Sequence, residues 1–127
     1  MNNEEKRALI ERYLYAYNTF DIDGMLALLH PNIQFRSIAG GEITAETSGI
    51  TALRHLAERS RDLFSFRKQT LTRIALHDNR ALIEVAFEGF LAADLPNGMK
   101  KGETLRLTGR SEFTFHDGKI NRITDIS

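Results

Sequence analysis

The sequence predicts an α+β fold: a curved antiparallel sheet, open to a mixed pairing, wrapped around about three N-terminal helices. Two observations carry this. Apolar residues at helical spacing are confined to the first half of the chain, and period-2 alternation broken by hairpin turns fills the second. A length of 127 residues fits one domain over residues 1–127 with enough chain to bury a core. A strongly bent sheet closed by helices makes a cone with an interior mouth.

Residues 3–19 read as an amphipathic helix. Ile10, Tyr13, Leu14 and Tyr17 recur at i, i+3, i+4 and i+7, while Glu4, Glu5, Lys6, Arg7, Glu11 and Arg12 fall mostly elsewhere on the wheel. Asp21 stands as an N-cap before Met25, Leu26, Leu28 and Leu29, so a second helix spans 22–29 and His30-Pro31 ends it. "NIQFRSI" sets Ile33, Phe35 and Ser37 against Gln34 and Arg36, which is a strand. "AGGEITAETSG" reads as a loop with room for a short strand. Thr47 or Ser48 caps a third helix with Ile50, Leu53, Leu56, Ala57 and Ser60 on one face, ending near Leu63-Phe64.

The remainder is strand. Residues 66–76 lead to a turn at His77-Asp78-Asn79 and then to "RALIEVAFEGFLA", whose face of Ala81, Ile83, Val85 and Phe87 is the apolar one. Glu84 and Glu88 then face outward, opposite Arg106 or Arg110 on the next strand. "DLPNGMKKG" is a hairpin loop. "ETLRLTGRSEFTF" places Leu105, Leu107, Gly109, Ser111, Phe113 and Phe115 on one face, "HDGK" turns, and "INRITDIS" closes the chain.

Composition excludes several function classes. Lys+Arg and Asp+Glu are 17 each, so net charge is zero, and Lys100-Lys101 is the longest basic run; nucleic acid is not an expected partner. No apolar run approaches the roughly eighteen residues of a membrane span, so no membrane partner is expected. The absence of cysteine and a charged, leaderless N-terminus lead to the expectation of a cytoplasmic protein. "DIDG" does not make a calcium loop. With Gly24 at the required glycine, the ligand positions fall on Thr19, Asp21 and Asp23, and the closing one on His30, the wrong ligand. His30, His55, His77 and His116 show no close metal-ligand spacing, so no metal is expected.

"YAYNTFDIDGMLALLHPNIQF" and "GRSEFTFHDGKINRITDIS" resemble the helix–turn–helix–strand opening and the closing hairpin of the nuclear-transport-factor-2-like superfamily, in its SnoaL-like branch. The resemblance spans nearly the whole chain in element order. It implies a pocket between the concave sheet face and the helices, and a homodimer formed through the sheet. It does not select a reaction, because this fold hosts many chemistries and non-enzymatic binders.

Two family mechanisms can be set against the residues. The tyrosine of ketosteroid isomerases, which share this fold, falls on Tyr13, but the base position falls on Ser37 and the buried-acid position on Ser111. A hydroxyl cannot replace a carboxylate base. The Arg and Asp positions of limonene-epoxide-hydrolase-like proteins fall on Val85 and Phe87, and only the late aspartate survives, as Asp125. The chain is therefore not a typical member of either group. The resemblance implies Asp125 and Tyr13 as the candidate catalytic pair, with Tyr17, Ser37 and Ser111 as polar neighbours and Phe35, Leu56, Val85, Phe87, Leu107, Phe113 and Ile123 as pocket walls. Asp125 is expected to find its partner in Tyr13, Tyr17 or a buried water. Two readings follow: a cofactor-independent isomerase, cyclase or hydratase acting on a small hydrophobic molecule, or a non-catalytic homodimeric binding module.

Overall fold

The computed structural model describes residues 1–127. Three helices, α1 (Asn3–Asn18), α2 (Ile22–Leu26) and α3 (Ile50–Arg61), close over a six-stranded mixed sheet. Its strands are β1 (Leu29–Ala39), β2 (Glu42–Ser48), β3 (Phe64–His77), β4 (Arg80–Leu91), β5 (Thr104–His116) and β6 (Lys119–Ile126), in the order β2-β1-β6-β5-β4-β3. All neighbours are antiparallel except β1 and β6, which run parallel. The sheet is curved and open, and α1 lies on β3 while α3 lies on β1 and β2, so the helices bridge its two flanks. This is the nuclear-transport-factor-2-like cone.

Local chemistry explains the elements. Asn2 caps α1 by accepting from the Glu5 amide, and the Glu5 carboxylate accepts from the Asn2 amide in return. Lys6, assigned to the solvent side of the helix by its charge, is buried, because its stem packs inward and its Nζ donates to the Asp78 carbonyl in the β3–β4 turn. Asp21 caps α2 through the Gly24 amide at 2.9 Å, and any Cβ at position 24 would collide with that carboxylate. Asp23 pairs with Arg54 on the surface. The two acids of "DIDG" are therefore structural.

Three expectations need correction. The second helix stops at Leu26 rather than 29, because Leu29 already pairs with Ile120 in the parallel β1–β6 ladder. The "AGGEITAETSG" segment holds a full strand, β2, paired with β1 across a turn at Gly40 and Gly41. Neither Thr47 nor Ser48 caps α3: the cap is Gly49 at φ 85°, and the Thr47 hydroxyl is buried without a partner.

The inward face of β4 is Ala81, Ile83 and Val85, all buried, and Glu88 pairs outward with Arg106 at 2.8 Å as its alternation requires. The core is continuous from α1 through α2 to the central strands, with Ile10, Ile33, Ile83, Ile120 and Ile123 fully shielded. No helix is long and apolar enough to cross a membrane.

Candidate functional site

Register places the site. Across the parallel β1–β6 ladder Ser37 faces Asp125, and across the antiparallel β6–β5 ladder Asp125 faces Ser111. Ser37, Asp125 and Ser111 thus form one polar row over three adjacent strands. Two residues along each strand, Phe35, Ile123 and Phe113 form the apolar row beside it. All but Ile123 open onto a cavity of about 240 Å³ enclosed by the concave face, α1 and α3. That volume lies just below the roughly 300–1,000 Å³ usual for ligand sites, suiting a compact molecule.

Tyr13, Tyr17, Phe35, Ser37, Leu56, Ser111, Phe113 and Asp125 all line this cavity. Four other expected wall residues do not. Val85 and Ile123 are buried in the core. Phe87 turns edge-on to Phe64 with ring centroids 5.5 Å apart, and Gly89 leaves the space for that ring. Leu107 has the inward parity but is 40% exposed, because the β4–β5 hairpin end extends beyond the helices that cover the sheet.

Asp125 takes a different partner from the one expected. Ser111 Oγ donates to its Oδ1 at 2.6 Å, and neither tyrosine hydroxyl pairs with it. No cation lies within ion-pair distance. Desolvation pushes the carboxyl up to about 6, opposed by the Ser111 hydrogen bond. Burial raises the Tyr13 hydroxyl above its ordinary range, and the Asp125 charge adds to this, so Tyr13 stays protonated and can only donate to an anion. Its ring packs edge-on against Phe113, at 6.0 Å and 77°.

Sequence reasoning missed Arg67 and Gln69, which also line the cavity. Arg67 is 2% exposed. Its Nε donates to the Tyr17 carbonyl at 2.9 Å, and its guanidinium lies 3.8 Å from the Tyr17 ring centroid and 4.5 Å from that of Phe20. Burial raises the Tyr17 hydroxyl, while Arg67 and Gln69 pull it back. The signal was the alternation of Arg67, Gln69 and Leu71. It was masked by a bulge between Phe64 and Phe66, which turns Phe66 outward and Arg67 inward.

One cluster lies elsewhere. The fold brings His30 to His116, rings 5.4 Å apart, with the Asp117 carboxylate close enough that one ligand atom of each lies within 4.8 Å of the others. Sequence spacing could not reveal this, because the parallel β1–β6 pairing and the β5–β6 turn create it. None of the three residues lines the cavity, and the His30 Nδ1 accepts from the Asn32 amide.

The SnoaL-like domain model matches residues 10–123. The chain belongs to the SnoaL-like domain family. Among solved structures it is similar to a polyketide-cyclase-like protein of Xanthomonas campestris pv. campestris, with 25% identity, TM-score 0.80, and coverage of 100% of this chain and 93% of that one. A second polyketide-cyclase-like protein, from Pseudomonas putida, is 26% identical with TM-score 0.74, over 92% of this chain and 86% of the other. TerC co-crystallised with polyporic acid shares the fold at 18% identity and TM-score 0.78, over 96% and 90% of the two chains. No curated protein matches the sequence.

Proposed function

We propose that this SnoaL-like domain, acting as one unit over residues 1–127, binds a small carbonyl compound in the cone and catalyses cofactor-independent acid/base chemistry on it. For a carbonyl compound, enolate-type isomerisation, aldol-type cyclisation and β-elimination of water each begin with loss of a proton beside the carbonyl. Asp125 takes that proton, the C–H electron pair moves into the enolate, and the Tyr13 hydroxyl donates to the enolate oxygen. The observation that carries this reading is Asp125 itself: a carboxylate on a cavity wall, without a cation, with a single protein hydrogen bond and a pKa of about 6. A base in that range is charged at neutral pH yet basic enough to accept a proton. Membership of the SnoaL-like family and the polyketide-cyclase-like neighbours support a small-molecule role.

The test is turnover on a panel of activated ketones and diketones. Asp125→Asn should lower kcat about a hundredfold or more, with the folded state checked by circular dichroism. Turnover unchanged in that variant would remove Asp125 from the mechanism. A second reading, a binding module without chemistry, is favoured by Ser37 and Ser111 standing where ketosteroid isomerases carry acids. It predicts saturable binding and no turnover across the panel.

The protein is further read as a cytoplasmic homodimer formed through the sheet. Phe66, Leu82 and Phe90 are 38%, 39% and 40% exposed on the outer face, and the Phe66 and Phe90 rings sit 4.9 Å apart. Light scattering should give twice the 14.4 kDa chain mass, and Phe90→Glu should return it to the monomer value.

A further inference from the structure

Resting on the reading of the cone as a ligand site, we propose that Arg67 anchors a delocalised oxyanion of the ligand, a carboxylate or an ionised enol. The cavity then takes an acidic head group on a compact apolar body, which adds a charged end to the small hydrophobic molecule expected from the sequence.

A buried guanidinium ordinarily meets a carboxylate, because removing its hydration without a counter-charge is costly. Arg67 is almost wholly buried on the cavity wall, and no Asp or Glu lies within ion-pair distance of it. It is nonetheless held firmly. Nε is committed to the Tyr17 carbonyl, and the guanidinium plane rests against Tyr17 and Phe20. These contacts fix the orientation and leave the Nη groups free of carboxylates, in the fork geometry that matches a planar oxyanion.

The surroundings are built around this position. Phe20 sits at φ 59°, a left-handed conformation that is unfavourable for a bulky side chain, at the corner between α1 and α2. That conformation belongs to the residue whose ring backs the guanidinium. Asn18 clamps β3 to the end of α1 beside it: its Oδ1 accepts from the Gln69 amide at 2.7 Å and its Nδ2 donates to the Gln69 carbonyl at 3.1 Å. The Gln69 side chain stays on the cavity wall with Arg67, where its amide adds a second donor. One neutral donor and a cation on one flank form a receptor for negative oxygen.

The test uses two pairs of probes matched in shape, one member of each charged: benzoate against benzamide, and ionised dimedone against isophorone. Binding to the full chain is measured at pH 8 by calorimetry or chemical-shift titration. Wild-type protein should bind at least one charged member about tenfold tighter than its neutral partner. The pair that shows the preference tells whether a carboxylate or an enolate is taken. Arg67→Met should bring that ratio to about one, and Arg67→Lys should keep part of it as a point charge. Asp125→Asn should remove turnover and leave the preference intact, so failure of the base and failure of the anchor are told apart. A ratio of one in the wild type, a ratio that survives Arg67→Met, or the absence of binding by any probe at millimolar concentration would overturn the proposal. If Arg67→Met does not fold, the wild-type ratio and Arg67→Lys decide.

Discussion

Asp125 and Arg67 line one cavity from different parts of the sheet, and each lacks the partner that buried charge ordinarily takes. Asp125 stands on β6, among the inner strands; Arg67 stands on β3, at the edge, with β5 and β4 between them. Three strand spacings are about 14 Å along the sheet, beyond the reach of a direct ion pair before curvature is counted. The acid has only a serine, and its pKa rises. The cation has two aromatic rings and a carbonyl, and burial lowers its pKa. On the outer face, charges pair freely, as Arg106 does with Glu88 and Arg36 with Glu46. Keeping opposite charges apart inside while pairing them outside is costly for stability.

Breaking the floor beneath both ends should have the largest effect on stability. Ile123 is fully buried between Phe35 and Phe113, so Ile123→Ala should cost about 2–4 kcal/mol in urea unfolding. The acid end alone gives a gain. Asp125 ionises near 3.8 when unfolded and near 6 when folded, so the folded state holds a proton that the unfolded state has released between those values. Its contribution is absent below about pH 4, turns unfavourable as pH rises, and is complete above about pH 6. Asp125→Asn should therefore stabilise the protein by about 3 kcal/mol at pH 8 and by almost nothing near pH 3.5, a comparison of two melting series. Turnover should rise through about pH 6 in the wild type, since the base must be charged. Ser111→Ala should move that midpoint upward, because it deletes the bond favouring the carboxylate.

The cation end should respond less. Phe20→Gly relieves the left-handed φ of 59° while losing the ring under Arg67, and the two should cancel to within about 1 kcal/mol. A larger loss would mean that stacking dominates. Smallest of all, Arg106→Ala on the outer face should change stability by no more than about 0.5 kcal/mol, because its pair with Glu88 is largely solvated.

Sequence periodicity determined the order of helices and strands, the inward face of β4, and the punctuation by Asp21 and Gly118, while the resemblance to a known family made Tyr13 and Asp125 candidates. These are local matters: a period of two or 3.6, a cap or a turn is written within a few residues. Tertiary structure alone decided the rest. The parallel β1–β6 pairing aligned Ser37 with Asp125 and drew His30 to His116. The first of two bulges in β3, between Phe64 and Phe66, set Phe66 outward and Arg67 inward. The partner of Asp125 proved to be Ser111, a cross-strand neighbour, and not the tyrosine of the first helix. Strand register and bulges arise from pairing between distant segments, and one residue of slip turns every later side chain to the other face. The acid was therefore legible in the sequence, and the cation opposite it was not.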